Sequence, residues 1–145
     1  MARTILITGG SGYFGSILAE MALARGDQVR IFDLNPPSLP AGAPGVDDRL
    51  TYVAGDVRDL DALRTASDGV DVVLNNVAQV PLAKDRALFW SVNVTGTANV
   101  LLAARDQGVG KVVHTSSSAI FGVPEANPVT EDTPGRPLEA YGRAK

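Results

Sequence analysis

At 145 residues, with 45% hydrophobic and 20% charged residues, the chain has the make-up of one ordinary globular domain that can bury a core. A formal charge of −3, with ten arginines and three lysines scattered along the chain, leaves no basic footprint for nucleic acid, and the lack of cysteine excludes disulfides and thiolate chemistry. No apolar run approaches the roughly 18 residues of a membrane span, and the chain enters a strand without a basic, cleavable leader, so a cytoplasmic protein is expected.

Ile5, Leu6 and Ile7 read as a buried strand, which runs through Thr8 into Gly9-Gly10-Ser11-Gly12-Tyr13-Phe14-Gly15 and then into a helix. In that context the three spaced glycines have separate tasks. Gly9 supplies an unusual turn dihedral, Gly12 lets backbone approach a pyrophosphate, and Gly15 lets the helix pack close to the strand. The free N–H groups and dipole at the helix start attract the anion. The helix over residues 13–25 is marked by Phe14, Ile17, Leu18, Met21 and Ala22 at helical spacing and stops at Arg25-Gly26. A short strand over 28–32 ends at Asp33, eighteen residues beyond Gly15, where a ribose-binding carboxylate is expected. Such a carboxylate accepts hydrogen bonds from the adenosine hydroxyls and repels a 2′-phosphate, which favours NAD over NADP.

The proline- and glycine-rich stretch 35–45 reads as a surface loop bordering the adenosine. A third strand covers 50–53, and after Gly55-Asp56-Val57-Arg58-Asp59 a helix covers 59–66 with acidic residues in its first turn. Asp56, with Val57, either faces the adenine from a strand C-terminus or is a turn residue. A fourth strand covers 70–74 and leads into Asn75-Asn76-Val77-Ala78-Gln79, where small Ala78 lets backbone lie against a cofactor. A long helix follows over 84–107, with Asn93, Gly96, Thr97 and Val100 on one face. A buried Asn93 needs partners, either backbone groups beside strand four or the cofactor itself. Phe89 and Trp90 read as core. Residues 111–115 form the fifth strand, in which His114, the single histidine, reads as a packed residue. Strand and helix alternate throughout, so the fold class is α/β, a doubly wound parallel sheet of order 3-2-1-4-5 with its ligand crevice beside strand one.

Ser116-Ser117-Ser118 ends strand five, and Tyr141 and Lys145 stand at i, i+4 on a closing helix that starts near residue 139. There an ammonium can stabilise a phenolate and bring the tyrosine toward use as an acid/base. No cluster of residue types with metal-ligand spacing is read, so no metal is expected.

Thr8-Gly9-Gly10-x-Gly12-x-x-Gly15, Gly55-Asp56-Val57-Arg58-Asp59, Asn93-Val94-x-Gly96-Thr97, the serine run ending in Phe121-Gly122, and Tyr141-x-x-x-Lys145 stand in that order. Together they resemble the extended short-chain dehydrogenase/reductase family, in its NAD-dependent sugar epimerase/dehydratase group. The resemblance implies a Rossmann domain over residues 1–145, incomplete, with the last strands and a C-terminal substrate domain absent. It implies an NAD site lined by Gly9, Gly12, Tyr13, Phe14, Gly15, Asp33, Asp56, Val57, Val77, Ala78, Asn93 and Lys145. Tyr141 is then the acid/base, Lys145 serves the nicotinamide ribose and the tyrosine, and a serine holds the reacting oxygen. Anchored on Phe121-Gly122, that serine is Ser117, with Ser118 the alternative.

The same register puts Ser118 and Ala119 where the family's sugar dehydratases carry an Asp-Glu pair. Elimination needs a positioned acid and base beyond hydride transfer, so an epimerase or alcohol dehydrogenase is expected in place of a 4,6-dehydratase. Asn75-Asn76 stands where the family often has histidine and an apolar residue. The implied substrate is a nucleotide sugar, with a homodimer in the complete enzyme and neither nucleic acid nor membrane as partner. The apolar loop 80–83 with Phe89-Trp90 resembles a steroid-dehydrogenase-like branch, the second expectation. A non-catalytic NAD-binding scaffold is the third. A helix stub so short does not hold itself without packing, so the chain by itself is expected to bind cofactor with little turnover.

Overall fold

The computed structural model describes residues 2–38, 46–80 and 85–145. Residues 39–45 and 81–84, on which most of the expected adenosine border and of the expected apolar loop 80–83 fall, lie outside the described residues. Five strands, β1 (Thr4–Thr8), β2 (Gln28–Asp33), β3 (Leu50–Ala54), β4 (Val72–Asn75) and β5 (Lys111–His114), form one sheet in the order β3-β2-β1-β4-β5. Every pairing is parallel, so all five C-terminal ends reach the same edge. That edge carries the glycine turn, the Asp33 and Asp56 segments, the 76–79 segment and the serine run.

One sheet face is covered by α1 (Tyr13–Ala24), with Ile5, Ile7, Ala19, Ala22, Leu23, Val29 and Ile31 as its core. The other is covered by α3 (Leu60–Ser67) and α5 (Thr97–Asp106), around Leu6, Phe32, Leu63, Val73, Val100 and Ala103. A four-residue helix α2 (Val46–Arg49) precedes β3, and a last helix α6 (Ala140–Ala144) closes the described chain.

Of the residues that mark α1 as a helix, Ala22 is buried and Leu18 packs against the core, but the other three are exposed. Gly15, Ala19, Ala22 and Leu23 face the sheet, while Phe14, Ile17 and Met21 are exposed. A Cβ on Gly15 would collide with the Gly9 carbonyl and stand 2.6 Å from Gly10 Cα. Only small residues tolerate so close an approach, so the large apolar side chains of the first turns point outward and Leu23 is buried only at the far end of the helix.

The helix expected over 84–107 is three pieces in series: α4 (Arg86–Trp90), a π-helical turn (Ser91–Gly96) and α5. The π turn adds a residue to the repeat, and the buried positions become Val92, Asn93, Gly96, Asn99, Val100, Ala103 and Ala104. Arg86–Asp106 is long and apolar enough, by length and composition, to cross a membrane. Here its apolar face lies on the sheet. Phe89 is core as expected, but Trp90 is 39% exposed, because it falls on the outer side of α4.

Strand β4 begins later than the sequence indicates. Gly69 (φ +66) and the bond from the Val70 N–H to the Ser67 carbonyl hold 67–70 in a turn, and Asn75 becomes a strand residue. Asp59 caps α3, its carboxylate accepting from the Asp61 and Ala62 N–H groups at 3.1 and 3.0 Å. At the other end Arg30 of β2 donates to the Ala66 and Asp68 carbonyls at 2.6 and 2.9 Å, which satisfies groups the helix leaves open. Urea unfolding should rank these contributions: Asp59→Ala loses about 1 kcal/mol with its cap, whereas Leu6→Ala, emptying a fully buried site, loses about 2–5 kcal/mol. Equal losses would contradict this division between helix end and core.

Candidate cofactor and active site

The glycine turn is shaped by contacts that leave one direction free. Gly9 has φ +68, and a Cβ there would lie 2.9 Å from the Val77 nitrogen, so glycine is demanded both by the backbone and by the 76–79 segment beside it. Gly12 is different. Its φ of −77° and ψ of 170° suit any residue, and a Cβ would meet only the Gly9 carbonyl, at 3.4 Å. No atom of the described residues claims the space in front of it. That space lies at the start of α1, where the first turn of N–H groups has no intrahelical acceptor and no side chain caps it. A pyrophosphate fits this cradle, and a side chain at Gly12 would fill it. Tyr13 (86% exposed) and Phe14 (50% exposed) stand at the rim in the same helical turn.

Asp33 ends β2 beside that turn. Its carboxylate accepts from the Ser11 N–H and the Asn35 N–H, each at 3.1 Å, and is thereby tied directly to the glycine segment. Two carboxylate oxygens retain lone pairs for a diol after these bonds. Asp56 is held by Arg58, which donates to it from main chain and guanidinium at 2.5–3.0 Å and holds its pKa below the ordinary value. The turn reading of Asp56 therefore accounts for much of its bonding. Val57 is buried, with its side chain over Gly96, where a Cβ would lie 2.6 Å from Val57 Cγ2.

Asn93 is 2% exposed, and its partners are backbone. It accepts from the Gln79 N–H at 2.8 Å and donates to the Gln79 carbonyl at 3.0 Å, which pins the segment carrying Val77 and Ala78 against the helix. Of the two roles open from sequence, backbone satisfaction is the one this geometry displays. Sequence reasoning missed Asn99, whose amide donates to the Val57 and Arg58 carbonyls at 3.1 and 3.0 Å and so fixes the Asp56-Val57 turn. The available signal was a second asparagine inside an apolar helix, six residues after Asn93.

On the other side of β1, Ser117 caps a 3-10 turn (Ser118–Phe121), its hydroxyl oxygen accepting from the Ala119 N–H at 3.2 Å. Ser118 is exposed. Helix α6 packs on this turn through Gly142, where a Cβ would collide with the Ala119 carbonyl. The Ser116 hydroxyl donates to the Lys145 carbonyl at 3.3 Å. Tyr141 lies 6.4 Å from Phe89 between ring centroids and lines a cleft of about 490 Å³ with Arg86, Trp90, Leu138 and Glu139. Burial pushes the Lys145 ammonium pKa below its usual value. The segments carrying Ser117, Tyr141 and Lys145 thus share one corner of the sheet edge, although no side-chain hydrogen bond joins the three among the described residues.

The pattern of the NAD dependent epimerase/dehydratase family matches residues 5–145. The chain is 33% identical to UDP-glucose 4-epimerase of Streptomyces lividans over 151 aligned residues, 100% of this chain and 45% of the relative. It is 36% identical to 3-beta-hydroxysteroid dehydrogenase of Mycolicibacterium neoaurum over 123 residues, 80% of this chain and 32% of the relative. Among solved structures, a short-chain dehydrogenase/reductase superfamily protein from Agrobacterium tumefaciens with bound NAD superposes with a TM-score of 0.85 at 36% identity, over 99% of this chain and 42% of that one. The chain spans less than half the length of each of these proteins. A match that begins within β1 and runs through α6, on a fold shared with these enzymes, makes the chain a member of the NAD dependent epimerase/dehydratase family.

Proposed function

We propose that the chain carries the NAD site and the Ser-Tyr-Lys set of an enzyme that acts on a secondary alcohol, with nucleotide-sugar epimerisation as the reaction of the whole enzyme. The observation that carries this reading is the open cradle at Gly12, a position where the protein itself has no need of glycine. Asp33 receives the adenosine ribose from one side of the cradle, and Asp56 with Val57 borders the adenine. Val77 and Ala78, held by Asn93, form the wall toward the nicotinamide. When bound, NAD accepts the hydride from the alcohol carbon.

The chain's own residues manage the oxygen and its proton. Ser117 already accepts one hydrogen bond from Ala119, so its hydroxyl proton is free to hold the reacting oxygen. Tyr141 takes the hydroxyl proton onto its phenolate oxygen, and the Lys145 ammonium favours that phenolate and donates to the nicotinamide ribose. In an epimerase the ketone turns over in the site, the hydride taken up by NAD would return to the ketone's other face, and Tyr141 gives the proton back to the oxygen. A second reading, simple oxidation of a steroid-like alcohol with release of the ketone, is supported by the similarity to a 3-beta-hydroxysteroid dehydrogenase. Product analysis separates the two: epimerisation yields a stereoisomer without accumulating NADH, and oxidation yields ketone and NADH together.

Calorimetry on the 145 residues should detect NAD binding, and Gly12→Val should weaken it by about tenfold or more, at least about 1.4 kcal/mol, while urea unfolding shows a loss of only about 1 kcal/mol from the changed helix start. Equal affinity in the variant would remove the cradle from the cofactor site. With α6 only five residues long, the chain alone is expected to bind without appreciable NADH production, and robust turnover would overturn that part. In any active form of the protein, Tyr141→Phe should abolish hydride transfer yet leave NAD affinity intact; surviving activity would remove Tyr141 from the proton path.

A further inference from the structure

Thr8, Asn75 and His114 occupy one row across three adjacent strands. Thr8 pairs with Asn75 in the β1–β4 register, and Asn75 pairs with His114 in the β4–β5 register, so their side chains leave the sheet on the same face. Thr8 and Asn75 are buried, at 0% and 1% exposure, and His114 is half-buried. The Thr8 hydroxyl donates to Asn75 Oδ1 at 2.6 Å. Asn75 Nδ2 approaches His114 Nδ1 at 3.0 Å and Thr97 Oγ1 on α5 at 3.5 Å.

The direction of the first bond fixes the others. With Oδ1 engaged by Thr8, Asn75 presents N–H groups to His114, and Nδ1 must then be a lone-pair acceptor. The imidazole is therefore neutral, with its proton on Nε2. An imidazolium would place an N–H against the amide N–H. Relieving that clash means turning the Asn75 amide, which reverses its bond to Thr8: Oδ1 then faces the ring, and the buried Thr8 hydroxyl, accepting from Nδ2, loses the acceptor for its own proton.

Thr8 immediately precedes Gly9, and the Asn76 N–H bonds the Thr8 carbonyl at 3.1 Å at the root of the segment that carries Val77 and Ala78. We infer that His114 is a positioning residue: in its neutral Nε2–H form it holds the Thr8–Asn75 pair that shapes the glycine turn, and its protonation turns the Asn75 amide and weakens cofactor binding. The link to the cofactor rests on the NAD reading above; the tautomer and the amide orientation do not.

The surroundings of the ring favour the neutral form. Burial first, and then the Lys145 ammonium at the end of α6, push the His114 pKa below its ordinary 6.5, and a hydrogen bond to the Lys145 backbone offsets part of this. Thr97 of α5 and Asn75 of β4 bring no charge. Because the folded-state pKa is the lower one, the unfolded chain binds more protons in the interval between the two values. Stability from this site is thus complete above pH 6.5 and declines as pH falls from there toward the folded value.

The chain has one histidine, so its imidazole nitrogens can be observed by NMR without assignment ambiguity. The expected spectrum is a single Nε2–H tautomer that titrates below 6.5. Thr8→Val, which removes the donor and frees the amide to turn, should raise the His114 pKa; a residue that merely fills space would show no such response. One pH unit below the His114 pKa the competent fraction is about one tenth, so the NAD Kd should rise by up to about tenfold in the parent chain. The same series in His114→Gln, which keeps an acceptor without an ionisation, should be flat. An Nδ1–H tautomer, an unmoved pKa in Thr8→Val, or the same pH dependence in His114→Gln as in the parent would overturn the inference. A chain that shows the tautomer and the Thr8→Val response but binds no NAD at any pH would refute the NAD reading and the coupling to it, while the amide orientation would stand.

Discussion

The contact on which the rest depends is that of α1 with the glycine turn. Gly15 sits on the Gly9 carbonyl and beside Gly10, nearer than any side chain allows. At this first turn helix and strand end therefore meet with no side chain between them, while Leu23 packs on Ile5, Ile7, Val29 and Ile31 farther along. Small alanines line the buried side of α1, and the helix start comes directly above the end of β1. The same closeness puts the Ser11 N–H within reach of Asp33 at the end of β2 and sets Gly9 against the Val77 backbone after β4. Three neighbouring strand ends are locked to one turn, so the phosphate cradle and both its walls are built as a unit.

Behind that unit, buried asparagines carry the load that apolar packing cannot. Loops at a sheet edge expose backbone groups that become costly once covered. Asn93 satisfies both backbone groups of Gln79, Asn99 takes the Val57 and Arg58 carbonyls, and Asn75 joins Thr8 to His114. Each amide offers acceptor and donors on one short, stiff side chain, which lets it clamp a loop in both directions. None of the three needs a ligand to be satisfied. Their effect on the site is to hold the segments that face it.

Much of this was legible beforehand because it depends on local rules. The alternation of strands and helices specifies a parallel sheet, and a glycine turn after the first strand places that strand centrally, so the observed order β3-β2-β1-β4-β5 was expected. The end of β2 at Asp33 and the start of α3 are legible from the short apolar run and the acidic first turn, whereas the capping role of Asp59 emerges only from its bonds to Asp61 and Ala62. The misreadings share a cause. Apolar spacing on α1 pointed to Phe14, Ile17 and Met21, yet the close approach at Gly15 sends these outward. The helical face read from Asn93 to Val100 does lie inward, with Asn93, Gly96 and Val100 buried, but the π turn that a fixed repeat does not anticipate adds Val92 and Asn99 to it. Trp90 was assigned to the core on hydrophobicity, although its position on α4 faces away from the sheet.

The sequence by itself determined which elements form, their parallel arrangement, and where along the chain the chemically useful residues stand, since periodicity, glycine placement and capping act over a few residues. Tertiary structure decided what each polar group bonds to and which face each helix buries. His114 shows the difference. In sequence it is a lone histidine in a strand and nothing more, and its tautomer follows only from the register that sets it beside Asn75 and sets Asn75 beside Thr8. Hydrogen bonds between residues 39 and 67 positions apart have directions that no local pattern encodes.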